Sequence, residues 1–268
     1  MRRRTLFSLI LAAGARAATP SGTINLKVRS RVEVFKGGGE WQPTEFHYPL
    51  PLNKTAIVIC DMWDKHWCRG ATTRVAQLVE RMEPFLTKMR ASGVLVIHAP
   101  SETMDFYKDS AQRKAILSMP AITPPPALAL SDPPLPVDSA DGGCDTDDKF
   151  YKAWKREHPG LTIGPQDLIS DNGQEIFNAL KLRAITNLLI MGVHTNMCIL
   201  NRSFAIRQMT KWGMKCILVR DLTDAMYDPN DKPFVSHDAG TELVVQHIEK
   251  YWAPSTLSKD IRKAMEAK

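Results

Sequence analysis

The chain has 268 residues, 44% of them hydrophobic and 24% charged, with a formal net charge of +6. Those proportions are globular, excluding a disordered or low-complexity chain, and no internal repeat points to a solenoid. The length suits one well-buried α/β domain.

Residues 1–17 place Arg2, Arg3 and Arg4 before an apolar run from Leu6 to Ala13, then Ala15-Arg16-Ala17. Charged, apolar and small residues in that order read as a secretory signal. Arg3-Arg4-Thr5-Leu6-Phe7 resembles a twin-arginine export signal. The apolar run is far short of the roughly 20 residues that span a bilayer. The expectation is an exported protein, periplasmic or secreted after cleavage, with no stable membrane anchor. The signal carries four arginines and no acid, so its loss takes the formal charge from +6 to +2. The basic balance therefore gives no reason to expect a nucleic-acid partner.

Residues 18–53 read as an N-terminal extension. Beyond it, Ala56–Cys60, Val94–Ile97, Leu188–Met191 and Cys216–Val219 are continuous aliphatic runs of the kind buried on both faces of a parallel sheet. Helical spacing joins Val75, Leu78, Val79, Met82, Phe85, Leu86 and Met89, with Thr72 or Thr73 as a cap and Gly93 as a stop. Further helices are predicted over Asp109–Leu117, around Ile176–Leu180, over Met197–Trp212 and over Ala239–Tyr251. Strands alternating with helices argue for βαβ crossovers and a domain over 54–253. Residues 254–268 read as a C-terminal tail. A proline-rich insertion at about 118–160 holds seven prolines between Pro120 and Pro136, then an aromatic-basic segment from Lys149 to His158. It is either a lid or dimer arm over the site or a surface excursion.

Of the five cysteines, Cys60 and Cys216 lie in apolar runs and read as core. Cys68 and Cys144 sit in polar surroundings and could pair, which spacing alone does not settle. Cys198 is left over. Parallel sheets bind ligands outside the carboxyl ends of their strands. Asp61, His98 and the turn Gly192-Val193-His194-Thr195-Asn196-Met197-Cys198 all fall at such ends. Cys198 begins a predicted helix, where free N–H groups and the helix dipole favour a thiolate and could hold an oxyanion. Asp61 is then a general acid or base.

Cys60-Asp61-Met62 together with Gly192–Cys198 resembles the paired signature of the isochorismatase-like superfamily, which includes nicotinamidases and N-carbamoylsarcosine amidohydrolases. The resemblance implies a Rossmann-like three-layer αβα sandwich with a mainly parallel six-stranded sheet, and a homo-oligomer. It implies a cis peptide before His194 and an oxyanion hole from the N–H groups of His194 and Cys198. Cys198 becomes the nucleophile and Asp61 the acid/base, acting on a small amide or related C–N substrate through an acyl-enzyme. No cofactor is implied.

Two departures stand out. The family's lysine is missing: its place falls near Pro165 or Gln166. Lys149, Lys152 or Lys155 from the insertion, or His98 or His194, are the alternatives for a substitute. The first motif continues Trp63-Asp64-Lys65-His66-Trp67-Cys68, so Trp63, His66 and Trp67 either line a flat pocket or pack the loop onto the sheet. With His98, Thr195 and Asn196 they complete the candidate pocket. The nicotinamidase metal cluster after the second main strand is absent, and His66, His98 and His237 fit no closed ligand pattern, so no metal is expected. Asp221 and Asp224 read as turn and capping groups. The missing lysine keeps two alternatives open: a catalytically degenerate ligand- or partner-binding member of the fold, and a vinyl-ether hydrolase of the isochorismatase type.

Overall fold

The structure, a computed structural model, describes residues 22–267; the predicted signal at 1–17 lies outside the described residues. Eight strands form one sheet: β1 (Thr23–Glu33), β2 (Trp41–Pro51), β3 (Thr55–Cys60), β4 (Leu95–Ala99), β5 (Leu168–Ile169), β6 (Asn187–Val193), β7 (Lys215–Asp224) and β8 (Ser255–Thr256). Their order is β2-β1-β8-β7-β6-β3-β4-β5. The six from β8 to β5 run parallel. The expected count of six is thus corrected to eight. The added pair is a hairpin of β1 and β2, and β1 joins β8 antiparallel.

The physical reason lies in residues 23–51, which the sequence reading set outside the domain. Ile24, Leu26 and Val28 alternate with polar residues and are all buried, as period-two patterning demands of a strand with one face on a core. On β2, Pro43, Pro49 and Pro51 share one parity along the edge. That edge cannot offer a full ladder of donors to another strand. The predicted tail is also part of the fold, through β8 and the helix α8 (Ser258–Glu266), which packs on β1 and β7.

The sheet separates two apolar layers. Along β3, Ala56, Val58 and Cys60 face a core shared with α4 (Gly173–Leu182), α6 (Ile206–Lys211) and α7 (His237–Tyr251). Ile57 and Ile59 face the other core, built with α1 (Arg69–Ala91), α8 and the hairpin. Helices thus cover both faces, as buried parallel strands require. Two short helices, α2 (Met104–Tyr107) and α3 (Ala111–Leu117), follow β4, and Ser110 caps the second. No helix among the described residues is long and apolar enough to cross a membrane.

The helix predicted over Met197–Trp212 is two pieces. The single turn α5 (Cys198–Asn201) ends where Arg202 turns to extended backbone (ψ 149°), and α6 starts at Ile206. The break is packed closely: a side chain on Gly173 would collide with the Ser203 carbonyl, so only glycine lets α4 begin there.

Between residues 118 and 160 the chain forms no helix and no strand beyond one bridge, Trp63 to Glu157. It runs along α4 and α6, where Ile122 N–H donates to Asn178 Oδ1 (2.9 Å) and Leu128 N–H to the Lys211 carbonyl (3.0 Å). It then reaches the loop after β3, where Cys144 forms a disulfide with Cys68.

Candidate active site

The ends of β3 and β6 meet because Gly192 lies against Cys60. A side chain on Gly192 would strike the Cys60 carbonyl, and its φ of +114° also favours glycine. Asp61 follows with a left-handed φ of 47°, which aspartate tolerates better than most residues. Beyond Gly192 the Val193–His194 peptide is cis, as the resemblance implied, and the chain turns into α5 at Cys198.

Asp61 is fully buried and bonded on both oxygens. Ser101 N–H donates to Oδ1 at 2.7 Å, and Arg202 Nε donates to Oδ2 at 2.9 Å. The half-buried Cys198 begins α5, close enough for the Asp61 charge to act on its thiol. Burial, and then the Asp61 charge, push the Cys198 thiol well up, against opposing pulls from Arg202 and the His194 N–H. The shift runs against a thiolate: α5 is a single turn, too short for a strong dipole, and a carboxylate sits beside the sulfur. Burial also raises Asp61 above its ordinary value, partly offset by Arg202. Both shifts favour the neutral forms of the two groups.

Arg202 was missed on sequence, although it lies one helical turn beyond Cys198 and its N–H donates to the Cys198 carbonyl at 3.0 Å. Pro165 and Gln166, near the family lysine's place, are exposed, and Lys149 and Lys155 are exposed too. Lys152 reaches Glu102 (3.8 Å) rather than Asp61, and Glu102 pairs in turn with Arg202 at 3.6 Å.

Trp63, His66 and Trp67 gather beside this group. Trp63 Nε1 donates to the Ser101 carbonyl at 3.0 Å, tying the indole to the residue that holds Asp61. Trp154, from the insertion, stacks on Trp63 with centroids 4.2 Å apart. The His66 ring contacts the His194 ring at 4.9 Å. Burial pulls both histidines down, His66 to about 4 and His194 to about 3, so both are neutral near pH 7. Cys68 N–H donates to His66 Nδ1, which leaves the His66 proton on Nε2. Buried atoms without a partner among the described residues include Ser101 Oγ, His194 Nε2 and Trp154 Nε1. A groove of about 570 Å³ opens on the outer side of His66 and Trp67, between Lys65, Lys149 and Tyr151.

The other three pocket candidates have different work. His98 Nδ1 bonds Glu157 at 2.7 Å and Nε2 bonds Asp167 at 3.0 Å. Burial lowers its pKa, but the two carboxylates outweigh that and lift it to about 9, making it a buried imidazolium. It substitutes for no lysine. Thr195 Oγ1 bonds Thr223 Oγ1 (2.7 Å), and Asn196 makes a reciprocal pair with the Met226 backbone, 2.8 Å each way. Both hold the turn rather than line a pocket. Asp221 accepts from Ser258 at the start of α8. Asp224 bonds Arg74 and His237 instead of capping. His66, His98 and His237 form no cluster. The one grouping of potential metal ligands among the described residues is Cys68, Cys144 and Asp145, whose sulfurs are spent in the disulfide.

Residues 55–239 match the isochorismatase domain. The chain belongs to the isochorismatase family. Its members are hydrolases, and the matched residues run from the start of β3 into α7. A cysteine hydrolase from Pseudomonas syringae pv. phaseolicola 1448A has a similar fold at 18% identity and a TM-score of 0.55, over 82% of this chain and 96% of that one. An isochorismatase family protein from Burkholderia thailandensis aligns at 17% identity and a TM-score of 0.47, over 80% and 96%. N-carbamoylsarcosine amidase from Thermoplasma acidophilum aligns at 13% identity and a TM-score of 0.44, over 76% and 96%. No curated protein sequence matches the chain.

Proposed function

We propose that this isochorismatase-family protein is a cysteine amidohydrolase acting on a small amide or related C–N substrate. The observation that carries the reading is the placement of Cys198, in the turn that leaves β6, beside the buried Asp61 carboxyl at the end of the adjacent strand β3. Asp61 takes the thiol proton as the sulfur attacks the substrate carbonyl. The new oxyanion is held by the N–H groups of His194 and Cys198. The C–N bond breaks as Asp61 passes that proton to the leaving nitrogen. Water, deprotonated by Asp61, then cleaves the thioester and returns the thiol. A raised thiol pKa suits this scheme, because a neutral Cys198 needs a neighbouring base, the part Asp61 plays here.

Trp63, His66 and Trp67 form the substrate wall in this reading, and the unpartnered His194 Nε2 and Ser101 Oγ are free to meet a polar group on the substrate. The Cys68–Cys144 disulfide supports export to an oxidising compartment.

The test is ammonia release from a panel of primary carboxamides and N-carbamoyl amino acids, with the acyl adduct on Cys198 sought by intact mass. Cys198→Ala should abolish turnover of any accepted amide while leaving the fold unchanged. Full activity in Cys198→Ala would sink the mechanism.

A further inference from the structure

We propose that Arg202 supplies the cation of this site, as a positioning residue that holds the Asp61 carboxylate and the Cys198 sulfur in register from the turn after the nucleophile. The role is drawn from the reading of Cys198 and Asp61 as the reacting pair. Three observations converge on it.

The first is geometric. Asp61 is wholly buried, and its charge is balanced by one ion pair among the described residues, the 2.9 Å contact with Arg202 Nε. A buried carboxylate without a partner is strongly disfavoured, so this contact decides whether Asp61 is an ion at all.

The second concerns placement. Arg202 enters from the chain that carries Cys198, one turn further on, because α5 stops there and the backbone becomes extended. On a helix continuing through residue 212 its backbone would have a different direction. The break at Arg202 and the Gly173 approach to Ser203 therefore belong to the same arrangement.

The third is competition. Arg202 Nη2 lies 3.6 Å from Glu102, whose other oxygen lies 3.8 Å from Lys152 of the insertion. The guanidinium is shared between a buried carboxylate and a half-exposed one. Its planar fork allows two partners at once, which the point charge of a lysine does less well.

Arg202 draws both partners downward in pKa, so losing its charge should raise Asp61 and Cys198 together. The readout is the pH profile of Cys198 alkylation by iodoacetamide, followed by peptide mass spectrometry, which needs no substrate. Arg202→Gln keeps a donor to Asp61 without the charge. It should alkylate at least tenfold more slowly at pH 8, with the profile moved to higher pH. Arg202→Lys restores charge and should recover most of the wild-type rate. A folded Arg202→Gln with the wild-type profile overturns the proposal, as does an Arg202→Lys that behaves like Arg202→Gln. If Arg202→Gln does not fold, Glu102→Gln carries the test. It leaves the guanidinium to Asp61 alone and should move the profile to lower pH, and an unmoved profile overturns the proposal. If Cys198→Ala keeps full hydrolytic activity while the alkylation profile still follows the charge at position 202, the amidohydrolase reading fails and the Arg202 assignment stands.

Discussion

His98 Nδ1 and Glu157 Oε2 lie 2.7 Å apart with both side chains buried, joining β4, one strand in from the sheet's β5 edge, to the end of the proline-rich insertion. Asp167 and Arg90 complete the cluster at 3.0 Å and 2.9 Å. The insertion is thereby locked to the sheet by charge as well as by the disulfide.

That lock titrates. Burial opposes the His98 charge, but Glu157 and Asp167 win, and the folded-state pKa rises from 6.5 to about 9. A raised folded pKa contributes stability that is complete below pH 6.5 and is lost as pH climbs through about 9, on the order of 3 kcal/mol. Urea unfolding from pH 6 to 10 should show the decline. Glu157→Gln should flatten it and cost about 3 kcal/mol at pH 6, since one partner of a buried pair is removed. An unchanged slope in Glu157→Gln would refute the assignment.

The Cys68–Cys144 bond closes a loop with a sequence separation of 76. Reducing it, or replacing both cysteines by serine, should cost about 2–4 kcal/mol. Limited proteolysis should then cut between residues 118 and 160, where the chain has no helix or strand ladder to protect it. Intact mass without reductant should be two hydrogens lighter than with it. Equal masses would show that the bridge is missing.

An acid limb in activity should come from Asp61. The carboxyl must be ionised to accept the thiol proton, and burial raises it above the ordinary 3.8. The rate therefore falls as pH drops through a midpoint higher than 3.8, and kcat/KM against pH measures it. A midpoint at or below the ordinary value would contradict Asp61 as the base.

Leu26, buried in the hairpin strand β1, tests whether residues 23–51 belong to the folding unit. Leu26→Ala should destabilise the whole protein by about 2–5 kcal/mol in a single cooperative transition. A separate early transition would instead mark the hairpin as an appendage.

Much of the parallel sheet was legible because β3, β4, β6 and β7 are continuous aliphatic runs. β5 and β8 are two residues each and exist through their neighbours, so no local pattern could announce them. β1 did carry a signal in Ile24, Leu26 and Val28, but a strand outside the recognised motif reads as an extension. Cys198 and Asp61 were visible from their strand-end positions. Arg202 was hidden by an assumed unbroken helix, although its spacing from Cys198 was a usable clue. The partners of His98 come from residues 157 and 167, a pairing only the folded chain determines.

The contact between β1 and β8 joins the two ends of the described chain: Arg29 stands opposite Ser255, and Thr256 Oγ1 donates to the Lys27 carbonyl at 2.8 Å. During synthesis the hairpin emerges long before β8, the strand it joins. A ribosome-bound chain thus carries an unfinished sheet edge until β8 has been made, and the sheet closes there only through a long-range contact. Truncation at either terminus should therefore act alike, each leaving the other end without its neighbour.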